Sequence, residues 1–296
     1  MNNVTLTGII AYPVTPFFQN NGDVNIPTLN VIIDDLIKTD VAAIAALGSA
    51  GESAYLEEDE WQHVAICTVD HVAGRVPVMI GISELTTQKA IQRAQFAQQA
   101  GAAAVMISPL SYYALSEQEI YQHYHAISDA IDIPIMLYNN PATSGIDMSP
   151  EFMISMIDDI KNVQMIKEST GDIQRMHRIF SLTGGKVPFY NGCNYLALEA
   201  LNAGAAGWCT AAPCLIGNKP KQLFDCIQQG AALKARDLFY QQLDLLEFIV
   251  KKGLAASVKA GLALRGIDAG TARRPLLALP DSTQQELKKL MHKAML

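Results

Sequence analysis

A lysine stands at the abrupt end of a short apolar run, Val163-Gln164-Met165-Ile166-Lys167, and the chain then turns through Glu168-Ser169-Thr170-Gly171. An amine held partly dry between strands loses solvation of its ammonium form. That lowers its pKa and frees a nucleophile for attack on a carbonyl carbon, the first step of Schiff-base chemistry. For a lone lysine the ordinary alternative is a solvated residue after a strand. A second group makes the chemistry concrete: Tyr138 ends another apolar run in Tyr138-Asn139-Asn140-Pro141. A phenol beside an amine can carry protons to and from a substrate oxygen. Its structural alternative is a buried tyrosine whose hydroxyl only hydrogen-bonds. A third piece is Gly48-Ser49-Ala50-Gly51-Glu52-Ser53. Its glycines permit a tight turn, and the Ser49 hydroxyl and following backbone N–H groups could hold a carboxylate at a helix N-terminus. The Gly-Lys-Ser/Thr ending of a phosphate loop is missing.

The remaining candidates are weaker. Tyr112 and Tyr113, in Ser108-Pro109-Leu110-Ser111-Tyr112-Tyr113, are the kind of loop pair that serves packing or an interface. Cys209, in Gly207-Trp208-Cys209-Thr210, has no histidine near it in sequence and reads as a small structural residue. His63, His71, His123, His125, His177 and His292 fall in helix-like segments, and His123 and His125 do not make a metal site.

These residues need strands to hold them. Strand-like runs occur at 7–13, 41–47, 76–80, 103–108, 133–138, 163–167, 187–191 and 206–210. They lie roughly thirty residues apart, the spacing of βα units, and eight such units predict a closed (β/α)8 TIM barrel of class α/β. Runs that are apolar throughout, rather than alternating, suit a parallel sheet covered by helices. In such a sheet the carboxyl ends of the strands carry function. Amphipathic helices are predicted over 26–38, 88–100 and 116–131, and Ser149-Pro150-Glu151 marks a helix start. Helices are also predicted over 219–229, 232–250 and 282–294. The expected organisation is a barrel over 1–218 and a helical extension packed on it over 219–296, with no flexible linker between.

Composition agrees. The chain has 296 residues, 50% hydrophobic and 17% charged, with a net charge of -7. That is ample for one large core, and the acidic balance without a basic run argues against nucleic acid or an anionic membrane as partner. Five scattered cysteines (Cys67, Cys193, Cys209, Cys214, Cys226) form no CxxC pair and no zinc spacing, so reduced thiols in a cytoplasmic protein are expected. No signal peptide and no membrane span is visible in the sequence.

A Gly-Ser turn on the second strand, a tyrosine on the fifth and a lysine on the sixth together resemble the dihydrodipicolinate synthase / N-acetylneuraminate lyase family. The resemblance runs from Gly8-Ile9-Ile10-Ala11-Tyr12-Pro13-Val14-Thr15-Pro16-Phe17 through the helical tail. It implies a class I enzyme, free of metal and of any cofactor, whose lysine attacks the keto carbon of pyruvate or a longer 2-oxo acid. By resemblance Lys167 is the Schiff-base lysine and Tyr138 the general acid/base. Ser49 stands where the family has a relay hydroxyl at the carboxylate site. Tyr112 resembles the relay tyrosine lent across a dimer interface, although Pro109-Leu110-Ser111-Tyr112 carries one extra residue. Gly192 and Cys209 line the pocket with backbone. A homotetramer, a dimer of dimers, is implied as well.

Three departures bear on substrate. Ala50 replaces a second threonine, which keeps the backbone N–H and removes a hydroxyl. Pro141-Ala142-Thr143-Ser144-Gly145 offers Thr143 where the synthase branch has a carboxylate-binding arginine, and the Thr143 and Ser144 hydroxyls suit a polyol or neutral carbonyl partner. The nearest downstream arginines, Arg175 and Arg178, are expected in the next helix, pointing away from the barrel mouth. Cys193, Asn194 and Tyr195 follow Gly192, where the sialic-acid lyase branch has acidic residues. The reading is therefore a lyase that makes or breaks a pyruvate-derived 2-oxo acid, such as a 2-keto-3-deoxy sugar acid. Dehydration or deamination through the same intermediates stays open. The family's synthase reaction is the first alternative, and a non-catalytic barrel that binds a small acid is the alternative of another class.

Overall fold

The structure, a computed structural model, describes residues 6–295. The eight predicted runs are strands: β1 (Gly8–Ala11), β2 (Ala43–Ala46), β3 (Val78–Gly81), β4 (Ala104–Ile107), β5 (Ile135–Asn139), β6 (Val163–Glu168), β7 (Phe189–Asn191) and β8 (Gly207–Thr210). They close into a barrel in sequence order. Every strand residue is buried except the half-exposed Gln164, as expected of strands covered on both faces.

Between and after them lie α1 (Ile26–Ile37), α2 (Glu58–Val72), α3 (Thr87–Gln99), α4 (Glu117–Asp129), α5 (Pro141–Ser144), α6 (Pro150–Asp159), α7 (Ile173–Thr183), α8 (Ala197–Asn202), α9 (Pro213–Ile216), α10 (Lys219–Gln228), α11 (Ala232–Lys251), α12 (Leu254–Leu264) and α13 (Asp281–Met295). The periodicity of α1 places Leu29, Ile32, Ile33 and Leu36 in the core. Ser149 caps α6 as its sequence predicts, its hydroxyl accepting the Phe152 N–H at 3.1 Å ahead of Pro150. The tail contains one helix that the sequence reading does not include, α12. Among the described residues no helix is long and apolar enough to cross a membrane. Nor is any group of three His, Cys, Asp or Glu side chains placed to hold a metal ion.

Two compact units divide the chain. One is built around Met79–Cys209 and contains β4 to β7. Its strands pair in parallel, with Tyr138 opposite Lys167 and Asn139 opposite Glu168 between β5 and β6. Lys167 is in turn opposite Tyr190 of β7.

The other unit combines Gly8–Val78 with Thr210 and the chain after it. Here the 48–52 turn is tied down from several sides. The Thr15 hydroxyl donates to the Gly51 carbonyl at 2.6 Å. Leu47 and Glu52, at φ 59° and 54°, take the left-handed region at either side of the turn. Glu52 is 3% exposed and Lys259, from α12, is 2% exposed. Lys259 Nζ lies 2.6 Å from the Glu52 carboxylate and donates to the Thr271 carbonyl at 3.1 Å. The Arg273 N–H donates to Glu52 at 2.6 Å. Burial pushes the Lys259 amine down to about 8, outweighing the pull of Glu52. The helix whose N-terminus the sequence reading places after this turn begins later. Ser53–Tyr55 form one 3-10 turn, and α2 starts at Glu58 with its own Glu57–Glu60 capping box.

Candidate active site

Side chains alternate across a strand, so the paired residues of β5 and β6 divide their tasks between two faces. On one face, Lys167 is 5% exposed and Tyr138 6% exposed. Lys167 Nζ sits 3.7 Å from the centre of the Tyr138 ring and 3.9 Å from the Met106 sulfur of β4. An ammonium is held over an aromatic face by the ring quadrupole, and a thioether is a soft, polarisable neighbour. The Tyr138 hydroxyl oxygen accepts the Asn140 side-chain N–H at 2.8 Å.

On the other face, Glu168 is fully buried and its carboxylate is saturated. It accepts the Thr170 N–H at 2.7 Å, the Asn139 side-chain N–H at 3.2 Å and the Arg175 Nε–H at 3.2 Å. Asn139 also donates to Asp147 at 3.0 Å and accepts the Met148 N–H at 3.0 Å. Arg175 closes the network on Asp147, at 3.1 Å, and on the Met148 carbonyl. A largely buried ion pair held by this many hydrogen bonds is a poor source of stability but a stiff positioner. It fastens β5 to β6 one residue beyond the lysine and tyrosine. Sequence reasoning did not find this network, because its members are brought together only by strand register. Arg178 is engaged separately, at 2.6 Å from Glu151 on the surface.

The turn after β7 closes on the lysine. The Gly192 N–H donates to the Glu168 carbonyl at 2.8 Å. A Cβ at Gly192 would lie 1.8 Å from the Ser169 hydroxyl oxygen and 2.9 Å from Lys167 Cε. The Gly192→Ala protein should therefore fold but lose about a hundredfold in kcat/KM, since displacing a reacting group by about an ångström costs that much. Steady-state kinetics on the melted-and-compared variant decides it, and wild-type activity would mean that the contact is slack.

Ser169, also missed in the sequence, has its hydroxyl buried with no hydrogen-bond partner among the described residues. Its place in Lys167-Glu168-Ser169-Thr170-Gly171 was visible, but a serine in a turn carries no signal of its own. Beyond Gly192, the Asn191 side chain clamps the Cys193 backbone, accepting its N–H at 3.0 Å and donating to its carbonyl at 2.8 Å. Burial pushes the Cys193 thiol up, against hydrogen bonding to Tyr195, so it is no rival nucleophile. Tyr190, the other tyrosine opposite Lys167, is fully buried and its phenol is pushed up by that burial.

The other sequence candidates are placed as follows. Cys209 is 3% exposed in β8. Thr143 is exposed on α5, whereas Ser144, which the sequence reading offers as a second hydroxyl, is not available. It is 9% exposed, and its hydroxyl donates to the Asn140 and Ile146 carbonyls at 3.1 Å each. Tyr112 is 88% exposed and packs edge-on against Tyr113, their centroids 5.2 Å apart. In the other unit Ser49 is exposed and Ala50 buried. The N–H groups of Gly51, Glu52 and Ser53 are spent inside the turn on the Gly48 and Ser49 carbonyls.

Comparison with known proteins gives a consistent result. Residues 5–294 match the Dihydrodipicolinate synthetase family. A 4-hydroxy-tetrahydrodipicolinate synthase of Bacillus subtilis is 32% identical over 274 residues, covering 93% of this chain and 94% of that protein. One of Trichlorobacter lovleyi is 31% identical over 284 residues, with 96% and 97% covered. Among solved structures, a Pseudomonas aeruginosa protein provisionally named a dihydrodipicolinate synthetase is 50% identical. It superposes with a TM-score of 0.96 over 98% of this chain and 100% of its own. A buried lysine over a tyrosine ring on adjacent strands of a closed eight-stranded barrel, with a family match over almost the whole chain, leads to one conclusion: the chain belongs to the dihydrodipicolinate synthetase family and is an enzyme, a class I aldolase-type lyase.

Proposed function

We propose that the protein is a Schiff-base lyase that makes or breaks a pyruvate-derived 2-oxo acid, with 2-keto-3-deoxy sugar acids as its substrate class. The observation that carries the reading is the Lys167 amine, buried and 3.7 Å from the Tyr138 ring. The amine adds to the keto carbon, water leaves, and the resulting iminium draws electrons from the C3–C4 bond as an aldehyde departs. Tyr138 gives its proton to the hydroxyl that leaves as water, and the phenolate so formed takes the proton of the C4 hydroxyl during cleavage and returns it during condensation. Loss of water or ammonia from a substituent would use the same iminium and enamine. Ser49 is assigned the relay hydroxyl. The backbones of Ala50, Gly192 and Cys209 are assigned to the substrate, all by family resemblance. Gly192 has the support that it lies against Lys167.

The buried Ser169 hydroxyl, without a partner among the described residues, is a group that a bound 2-oxo acid can satisfy in either reading. A dicarboxylic partner needs a cation for its distal carboxylate, and a bidentate arginine suits that best. Thr143 stands there instead, and Arg175 and Arg178 are committed to Glu168, Asp147 and Glu151. The second reading, 4-hydroxy-tetrahydrodipicolinate synthase, is favoured by the names of the relatives of about 30% identity. Direct comparison of kcat/KM separates the two. Aspartate semialdehyde with pyruvate is expected to be roughly ten- to hundredfold poorer than a 2-keto-3-deoxy acid, the scale of one charge-assisted contact, and Thr143→Arg should narrow the gap. Efficient turnover of the semialdehyde by wild type would replace the first reading with the second.

We infer a homotetramer built from dimers, with Tyr112 lent to the neighbouring subunit as the relay tyrosine. Its 88% exposure beside a 75% exposed Tyr113 leaves an aromatic pair of the kind that interfaces bury. Sedimentation should give a tetramer, and a fully active monomer would end this assignment. The compartment proposed is the cytoplasm, from the free cysteines.

A further inference from the structure

Asn140 occupies the cap position of α5, where an asparagine side chain ordinarily accepts an N–H of the first turn. It does not do so here. Its backbone carbonyl accepts the Thr143 and Ser144 N–H groups, at 3.0 Å each, and the Ser144 hydroxyl. Pro141 restricts the residue before it to extended conformations, and Asn140 sits at φ -149° and ψ 78°. With the backbone so held, the side chain turns back over β5, and its N–H meets the Tyr138 hydroxyl oxygen at 2.8 Å. Its neighbour Asn139 faces the Glu168 network instead. The two asparagines that follow the tyrosine thus serve opposite faces of the strand.

We propose that Asn140 is the positioning residue for Tyr138, its side-chain amide donating to the phenol oxygen and thereby aiming the phenol's own hydrogen at the reacting centre beside Lys167. A phenol has one hydrogen and two lone pairs. The lone pair that receives the Asn140 N–H fixes the rotation of the O–H, whose hydrogen must then point elsewhere. When Tyr138 gives up that proton, the negative charge forms on an oxygen already met by a donor, with no rearrangement needed. This inference rests on the Schiff-base reading for its effect on rate, and on the contact alone for its existence.

The test uses Asn140→Ala and Asn140→Asp, each alone and combined with Tyr138→Phe. Aspartate matches asparagine in shape, but its carboxylate accepts and does not donate. The reaction read is exchange of the methyl protons of pyruvate for deuterium, followed by proton NMR, which needs no knowledge of the natural substrate. Both single variants should lose about ten- to hundredfold in exchange rate, the range for a hydrogen bond to a group that becomes charged, with KM for pyruvate little changed. Neither should lose anything further in the Tyr138→Phe background, since the partner is already gone. Full activity of Asn140→Asp, or an equal loss with and without the Tyr138 hydroxyl, would overturn the proposal. A separate measurement needs neither substrate nor a folded Asn140 variant. In the ligand-free protein one Asn140 side-chain amide proton should move upfield on Tyr138→Phe, and an unmoved resonance would also overturn the proposal. Failure of pyruvate and borohydride to label wild type would sink the Schiff-base reading instead, with the amide resonance still deciding this one.

Discussion

Pyruvate followed by borohydride is expected to leave one reduced, covalent adduct, on Lys167, and Lys167→Ala is expected to abolish both the adduct and turnover. The lysine is buried at the end of a strand, next to an aromatic ring and a thioether, and Gly192 lets the chain approach its Cε closely. No other residue in that position can form an iminium, so no slower route through the same intermediate survives the substitution. The effect should be the largest of any single change. Mass spectrometry of the digest reads it. Lys259 is the informative competitor. Burial brings its amine to about 8, so near that pH more of it is neutral than of an ordinary lysine. Neutrality alone is not reactivity, however: Lys259 is 2% exposed and held by Glu52 at 2.6 Å. An adduct on Lys259, or none at saturating pyruvate, would remove Lys167 from its role.

Tyr138→Phe should keep the fold and slow the reaction by about a hundredfold or more, the usual scale for a lost general acid/base. The ring stays, and with it the face that the lysine occupies. What goes is the hydroxyl with the bonds it makes, the one from Asn140 among them, at a structural cost of about 1 kcal/mol for that bond. The adduct on Lys167 should therefore still form, only more slowly, which separates this variant from Lys167→Ala. Turnover near the wild-type rate would return Tyr138 to packing. Stopped-time borohydride trapping alongside steady-state rates distinguishes these outcomes.

The strands were legible because each is apolar along its whole length and sits in the middle of a βα spacing, a signal that survives errors of one or two residues at the ends. Helix α12 was not, and its sequence, LAASVKAGLAL, explains why. Ala255, Ser257, Val258, Lys259, Gly261 and Leu262 are all buried, so the helix lacks the polar face that amphipathic reading needs, and it contains a buried lysine that looks like surface. Lys167 and Tyr138 were legible as strand-end residues with reactive side chains. Glu168 and Asn139 were not, since their significance lies in facing one another across two strands that are separated by α5 and α6 in sequence. Arg175 illustrates the same limit: its place on a helix was read correctly, but not its attachment to Glu168, Asp147 and Met148. Ser144 looked like an available hydroxyl because a sequence does not show which hydroxyls the backbone consumes.

The pairing of Glu52 with Lys259 and Arg273 has a consequence for how the chain is made. The acid emerges from the ribosome early, and the Arg273 N–H that it accepts lies 221 residues later. At usual rates of synthesis that is a delay of roughly 10 to 45 s. Through that interval the Glu52 carboxylate has neither of these partners, and it stays in water, because burying it alone is prohibitively costly. The turn that carries Ser49 can thus take its final shape only after Lys259 and Arg273 have been made. A chain interrupted between β8 and Lys259 would hold all eight barrel strands and still lack a finished turn, so it should be a product that chaperones and proteases treat as incomplete.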